Sequence, residues 1–493
     1  MRHQSRAALF ALVAMLSGCG GSGGGGTAPT GSGAVAGTPT PAPAPTSGSC
    51  SLRARQDWAF QQINEWYLFP ENLPASLNPS PFTSVQAYID ALTATARGLR
   101  RDRFFTFITS IAEENAFLAS GSSAGFGVRL ATDTTARRVL IAEAFEGAPA
   151  LAAGIDRGTE ILAIGTSPSD IRTVDTIITA EGSAGISTAL GPSTAGLTRL
   201  LRVRTAGVTR DINVTKADFT LNAVSARYGA QIINDDGRRV GYINLRTFIS
   251  TADQALRDAF TNFRAQGITD IIIDLRYNGG GLVSTAELLS DLMGRNRTAS
   301  EVQRFTTFRT SKSSENSTKF FATQPQSIAP TRIAFIGTVV SASASESVIN
   351  SFIPYLGTSA ALIGTNTFGK PVGQIGLDRA ACDDRLRVTA FAGQNADRQG
   401  AYFDGLAGTV RASCQATDDV TRQLGDPQEA STRQALDFLA GRSCTPINPA
   451  PVSSAPVATS RGQNASVNVA ASARELLTPA APNVPQREVP GLF

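Results

Sequence analysis

The stretch Ser341-Ala-Ser-Ala-Ser-Glu346 is a run of small residues between an apolar segment, Arg332-Ile-Ala-Phe-Ile336, and a helical pattern that continues from Glu346 to Phe352. A hydroxyl on such a strand-to-helix turn stands near a helix N-terminus, where the peptide dipoles favour developing negative charge. Further on, Phe368-Gly-Lys-Pro-Val-Gly-Gln374 is a glycine-flanked turn holding one of only four lysines, in a chain with forty arginines. Together the two stretches suggest a serine nucleophile with a lysine base. The only histidine, His3, lies in a leader-like segment, so a mature chain has no Ser-His-Asp triad to assemble.

Outward from this centre, residues 217–410 alternate strand and helix patterns, as expected of an α/β domain. Val240-Gly-Tyr-Ile-Asn-Leu245 reads as a strand, and Asp253 to Arg264 as an amphipathic helix. Asp270-Ile-Ile-Ile-Asp-Leu275 is the continuous apolar run of a strand buried on both faces. Gly279-Gly-Gly281 then turns the chain into a helix from Ser284 to Met293. Residues 295–330 are polar and irregular and read as a mobile surface insertion. Asp426-Pro-Gln-Glu429 has the layout of a helix start, with Asp426 as N-cap, and the helix runs to Gly441 as a C-cap. The α/β domain is therefore taken as 217–444. Residues 445–493, rich in Pro, Ala, Ser and Val, read as a disordered tail. Its last residues, Pro490-Gly-Leu-Phe493, are apolar and suit either a peptide groove on this same chain or trimming at its own site.

Towards the N-terminus the patterns change. Trp58 to Tyr67 and Ser84 to about Arg97 carry helical spacing, giving a small helical domain over 50–115 whose aromatics are core. Residues 116–216 read as short strands separated by turns, with a short helix at Pro149-Ala-Leu-Ala-Ala-Gly-Ile155. Gly20 to Ser49 is almost entirely Gly, Ser, Thr, Ala and Pro, a flexible tether. Before it, Met1 to Gly18 has Arg2 and Arg6 followed by an apolar run from Ala7 to Leu16, the layout of a secretory signal too short to span a bilayer. It ends Leu16-Ser-Gly-Cys19, which resembles the lipobox of bacterial lipoproteins, whose cysteine is lipidated. With glycine at 20 and 21, that resemblance implies an outer-membrane lipoprotein facing the periplasm of a Gram-negative cell.

A net charge of +4, about +2 without the leader, with no clustered basic stretch, gives no footprint for nucleic acid. Cys50, Cys382, Cys414 and Cys444 are even in number, so two disulfides are expected in an oxidising compartment, in any of three pairings. No Cys or His spacing suggests zinc, and no metal or other cofactor is expected. The glycine turn after Asn278 lacks both GxGxxG and GxxxxGK[ST], so it does not read as a phosphate loop. Its better use is an oxyanion hole, where glycines let backbone N–H groups approach a reacting carbonyl.

Asp274-Leu-Arg-Tyr-Asn-Gly-Gly-Gly281, Ser-Ala-Ser-Ala-Ser-Glu and Phe-Gly-Lys-x-x-x-Gln, in that order, resemble the C-terminal processing (tail-specific) serine peptidase family. Gly125-Phe-Gly-Val128, followed by Ala148-Pro-Ala and Ala-Gly-Ile155, resembles the PDZ domain such peptidases carry. The likeness covers roughly residues 120–410. It implies a small N-terminal helical domain, a PDZ-like β-rich domain and an α/β core of crotonase or Clp-protease type. It also implies Ser343 as nucleophile, Lys370 as base and Gln374 as the residue positioning the amine. Oxyanion donors map onto the amide of Ala344 and one from Gly280 or Gly281. Peptide would bind along Gly125, Phe126, Gly127 and Val128. An Asp found in some members eleven residues after the nucleophile is Pro354 here. Asp274 and Arg276 read as structural. The implied partners are unfolded polypeptides or C-terminal tails, with the membrane touched only through a lipid anchor. The rival reading is a catalytically silent lipoprotein on the same scaffold that binds peptides or hydrophobic ligands.

Lys370 has no charged residue within three positions on either side. Burial among Phe368, Pro371 and Val372 would disfavour its ammonium form and lower its pKa, as a lysine base working near neutrality requires.

Overall fold

A computed structural model describes residues 49–449, 474–479 and 482–493. The leader 1–18, Cys19, the tether up to residue 48 and tail residues 450–473 lie outside them. No helix among the described residues is long and apolar enough to cross a membrane.

The central element is a six-stranded sheet in the order Gln231–Asp235, Arg238–Asn244, Asp270–Asp274, Arg332–Gly337, Ala360–Gly364 and Ser413–Gln415. All its pairings are parallel except the first. The strand read as buried on both faces behaves that way. Ile271 and Ile273 enter a core with Leu256, Phe260 and Val348 from helices Ala252–Ala265 and Ala344–Leu356. Ile272 points the other way, to Ala435 and Leu436 of helix Ala430–Leu439. Pro354 lies within helix Ala344–Leu356.

Residues 302–320 depart from the expected mobile insertion. Val302–Phe308 and Ser317–Phe320 form an antiparallel hairpin, and the first strand also pairs with Asp384–Gln394. Its threonines and phenylalanines favour a pleated surface, but the partner strand lies too far along the chain for local patterning to reveal it. The same sheet takes in Phe107–Ser110 and Val372–Arg379. The N-terminal helices Leu52–Trp66 and Val85–Leu92 have no core separate from it: Ala59, Ile63 and Ile89 share a cluster with Leu386 and Val388. The expected boundary at 115 falls inside helix Ile111–Ser120.

The β-rich region pairs Val128–Asp133, Arg138–Ala144, Glu160–Gly165, Thr198–Thr205 and Val208–Thr215 in that order. Helix Val174–Leu190 is kinked at Gly182, with φ 66°. Helix Ala430–Leu439 begins three residues later than the sequence suggests. Glu429, not Asp426, is its N-cap and accepts from Thr432 N–H, while Asp426 closes a turn ahead of it. The disulfides are Cys50–Cys382 and Cys414–Cys444.

The tail also departs from expectation. Arg474–Leu476 adds antiparallel to the edge strand Val128–Asp133, and Val484–Glu488 is a short helix capped by Asn483. Composition averaged over the tail hides the apolar residues that order it. Leu477, Val484, Val489, Leu492 and Phe493 are all buried.

Buried charges tie the β-rich region to the α/β core. Arg276, fully buried, pairs with Asp274 at 2.9 Å, Glu429 at 2.9 Å and Asp418 at 3.1 Å. Arg157 reaches the same Asp418 at 2.7 Å and Tyr277 Oη at 2.8 Å. Glu143 accepts from Arg129 on its own sheet and from Arg246 of the core.

Candidate active site

The motif around Ser343 is pinned before any chemistry is considered. Ser341 Oγ donates to Leu275 O at 2.7 Å, and Ser345 Oγ donates to Asn278 O at 2.9 Å. Those two hydroxyls hold the turn against the Asp274–Asn278 segment. Ser343 lies between them, half-buried, at the mouth of the helix, with φ 55°. A positive φ is costly for a residue with a Cβ and persists only where surrounding structure enforces it.

The enforcing group is Glu346. One of its oxygens, Oε2, accepts from the N–H of Ser343 at 2.9 Å and from the N–H of Lys370 at 2.8 Å. The other, Oε1, accepts from Thr367 Oγ1 at 2.6 Å and Gly369 N at 2.7 Å. A single carboxylate thus brings together the backbones of the two residues that sequence pairs as nucleophile and base. Burial pushes its carboxyl above the ordinary value, against the pull of those four donors. Glu346→Gln retains one acceptor oxygen but turns an NH2 group onto N–H donors. Leaving buried donors unmet costs about 1–3 kcal/mol, so a fall of that size in folding free energy is expected in denaturant titration. An unchanged midpoint would contradict this role.

Lys370 Nζ donates to Gln374 Oε1 at 2.8 Å, and Gln374 Nε2 in turn donates to Phe105 O. The amine also lies 4.9 Å from the centre of the Phe105 ring. Burial pulls it below its ordinary value of 10.5, while the charges of Glu488 and Asp102 work the other way. Arg103 clamps the preceding loop, donating to Phe368 O at 2.6 Å and Gly369 O at 2.5 Å. Burial brings Arg103 itself down to about 10.

Ser343, Lys370, Gln374, Gly279, Gly281 and Glu488 line one cleft of about 450 Å³. A Cβ on Gly280 would fall 2.9 Å from Ser343 Cβ and 3.3 Å from Ala344 N, and one on Gly281 would meet Phe248 O at 2.2 Å. With φ of 120° and 130°, both positions need glycine. Ala344 is the first residue of its helix, so its N–H has no intrahelical acceptor. The Gly280 N–H is held by Asn278 Oδ1 at 2.9 Å. Gly125 to Val128 lie apart from this cleft, on the edge of the β-rich region. Among the described residues no group of His, Cys, Asp or Glu is placed to hold a metal ion.

The sequence profile of peptidase family S41 matches residues 239–408, the span that carries every residue from Asp274 to Gln374. Residues 239–408 are a peptidase family S41 domain. A chloroplastic C-terminal processing peptidase of Tetradesmus obliquus is 40% identical over 58 residues, which is 11% of this chain and 12% of that protein. A structure of a Bacteroides fragilis protein assigned to the S41 proteases superposes with TM-score 0.60 at 23% identity, over 78% of this chain and 97% of the other. It shows the same overall fold, a mixed α/β arrangement around the S41 core. The photosystem II D1 C-terminal processing protease aligns over 74% of this chain and 93% of its own, at 18% identity and TM-score 0.44.

Two contributors to the S41 domain's cleft escape a sequence reading. Arg103 and Phe105 come from the N-terminal region, more than 230 positions from the Ser343 and Lys370 they help to frame, and nothing local marks them. Glu346 was marked: Ser343-Ala-Ser-Glu346 has the S-x-x-E spacing in which a residue at N3 reaches back to the N-cap amide.

Proposed function

We propose that this chain is a serine endopeptidase working through a Ser343–Lys370 dyad. The neutral Lys370 amine takes the Ser343 proton as Oγ bonds to the carbon of a peptide carbonyl. The oxyanion forms against the Ala344 N–H and a donor from the Gly280–Gly281 turn. Collapse breaks the C–N bond, Lys370 returns the proton to the leaving amine, and water resolves the acyl-enzyme by the same route. Gln374 positions the amine, and no cofactor takes part. Substrates are extended polypeptides that add as a strand to the PDZ-like edge at Gly125–Val128.

The observation that carries this reading is the shared Glu346 oxygen, which holds a serine at a helix mouth beside a half-buried lysine within an S41 domain. A fluorophosphonate tests it, since attack by Ser343 Oγ displaces fluoride and leaves a stable phosphonyl ester. Mass mapping should place one adduct on Ser343, with none in Ser343→Ala. If the chain is unmodified both with and without residues 482–493, no activated serine exists and the reading fails.

A further inference from the structure

The edge of strand Val128–Asp133 is already occupied, and its occupant is this chain. Leu476 pairs with Ala131, and Leu477 N–H donates to Leu130 O at 2.9 Å. The chain then leaves the edge, passes through the short helix Val484–Glu488, and returns to the same strand. There Leu130 N–H donates to Gly491 O at 2.9 Å, and Phe493 N–H donates to Val128 O at 2.9 Å. The Phe493 oxygen accepts from Gly127 N at 2.8 Å and Val128 N at 3.1 Å.

Phe493 and Leu492 are each 2% exposed, and Phe493 joins the cluster that contains Phe126 and Val128. The fit is close: a Cβ on Gly125 would fall 2.8 Å from the Phe493 carbonyl carbon. Between its two contacts with the edge, the segment walls the catalytic cleft. Glu488 and Pro490 line it with Ser343 and Lys370, and Pro490 lies 3.3 Å from where a Gly279 Cβ would stand. Arg129, fully buried, joins the two places, since its Nη1 donates to both Pro490 O and Tyr277 O. Gln486 Nε2 holds the returning strand through Leu492 O at 3.0 Å.

We propose that residues 474–479 and 482–493 are a tethered ligand of this chain's own groove and cleft. A polypeptide reaches Ser343 by replacing the Gly491–Phe493 strand with one of its own that carries a bulky apolar residue at the Phe493 position. The gating half of this rests on the peptidase reading; the binding half does not. Because the tail is attached, it competes at high effective concentration without any added contact. Glu488, held in the cleft, also favours the ammonium form of Lys370, the form that cannot act as base.

The test uses a fluorescent peptide with the sequence of residues 482–493, and chains carrying Ser343→Ala so that cleavage cannot consume it. Two released forms are compared with the full chain, one ending at residue 473 and one full-length with Leu492→Asp and Phe493→Asp. Both released forms, shown folded by circular dichroism, should bind the peptide at least tenfold more tightly than the full chain. A peptide with aspartate in place of its last phenylalanine should not bind. Equal binding by full and released chains, or no binding by folded released chains, overturns the tethered ligand. With Ser343 restored, release should raise cleavage of an unfolded protein at least tenfold. Cleavage unchanged by release overturns the gating. If peptide binds as expected and no form cleaves, the tethered ligand stands and the peptidase reading falls.

Discussion

Lys370→Met should lower cleavage of an unfolded protein by roughly 10³-fold or more, the scale at which removing a general base leaves a serine hydroxyl inactive. The comparison holds in the full chain and in the tail-released forms, whichever cleaves. Methionine keeps an unbranched apolar stem one atom shorter than lysine, so most of the packing against Phe105 is retained. Stability should move the opposite way. Burial sets the folded Lys370 below its ordinary 10.5, so between the folded value and 10.5 the unfolded chain binds the extra proton. Wild-type stability therefore rises with pH across that window, and below it the amine works against folding. The methionine variant should melt higher than wild type near neutrality, and the advantage should shrink as pH approaches 10.5. Wild-type activity should rise with pH through an inflection below 10.5, because only the neutral amine accepts the serine proton. A variant that still cleaves within tenfold of wild type would remove Lys370 from the mechanism.

Arg276→Met should lower stability by about 3–5 kcal/mol, the cost of removing one partner from a buried ion pair. Arg276 is fully enclosed and faces Asp274, Glu429 and Asp418. Burial works to raise the Asp418 carboxyl, yet the Arg157 and Arg276 charges outweigh it and hold it well below the carboxylate range. Glu429 is lowered for the same reason, by Arg276. Depressed carboxyls contribute stability that is present above their unfolded values and lost as pH falls through the folded ones. Without Arg276, Glu429 loses its cationic partner and Asp418 keeps only Arg157, so protonation of these acids relieves the strain. The deficit of the variant should thus be largest at neutral pH and narrow as pH falls through the ordinary carboxylate range. Denaturant midpoints at pH 7 and at about pH 4, inside the ordinary carboxylate range, measure it, and a deficit below about 1 kcal/mol at pH 7 would show that the network is not what locks the β-rich region to the core.

The elements legible in the sequence are those whose evidence is local. Asp270–Leu275 announced its burial by an unbroken apolar run, while Ser343, Lys370 and Gln374 were singled out by the resemblance of two short stretches to a known peptidase family. What escaped depends on partners remote along the chain. Val302–Phe308 looked irregular because the strand that completes it begins at Asp384. The start of helix Ala430–Leu439 was misplaced because Glu429 answers to Arg276, 153 positions away, as well as to its own first turn. Residues 474–479 and 482–493 were misread for a third reason, since a handful of apolar residues at the right intervals outweighs a composition that otherwise favours disorder.

The disulfide between Cys50 and Cys382 spans 332 positions, from the start of the first helix to the turn between strands Val372–Arg379 and Asp384–Gln394. It makes the intervening chain a closed covalent ring. Tension applied ahead of Cys50 therefore never unwinds helix Leu52–Trp66 from its end. It passes through sulfur to the tip of the hairpin, where two hydrogen-bonded strands share the load. The strand nearer the cleft carries Gln374, and Lys370 stands two residues before it. The bond that shields the helix end also fastens it to the hairpin whose first strand carries Gln374.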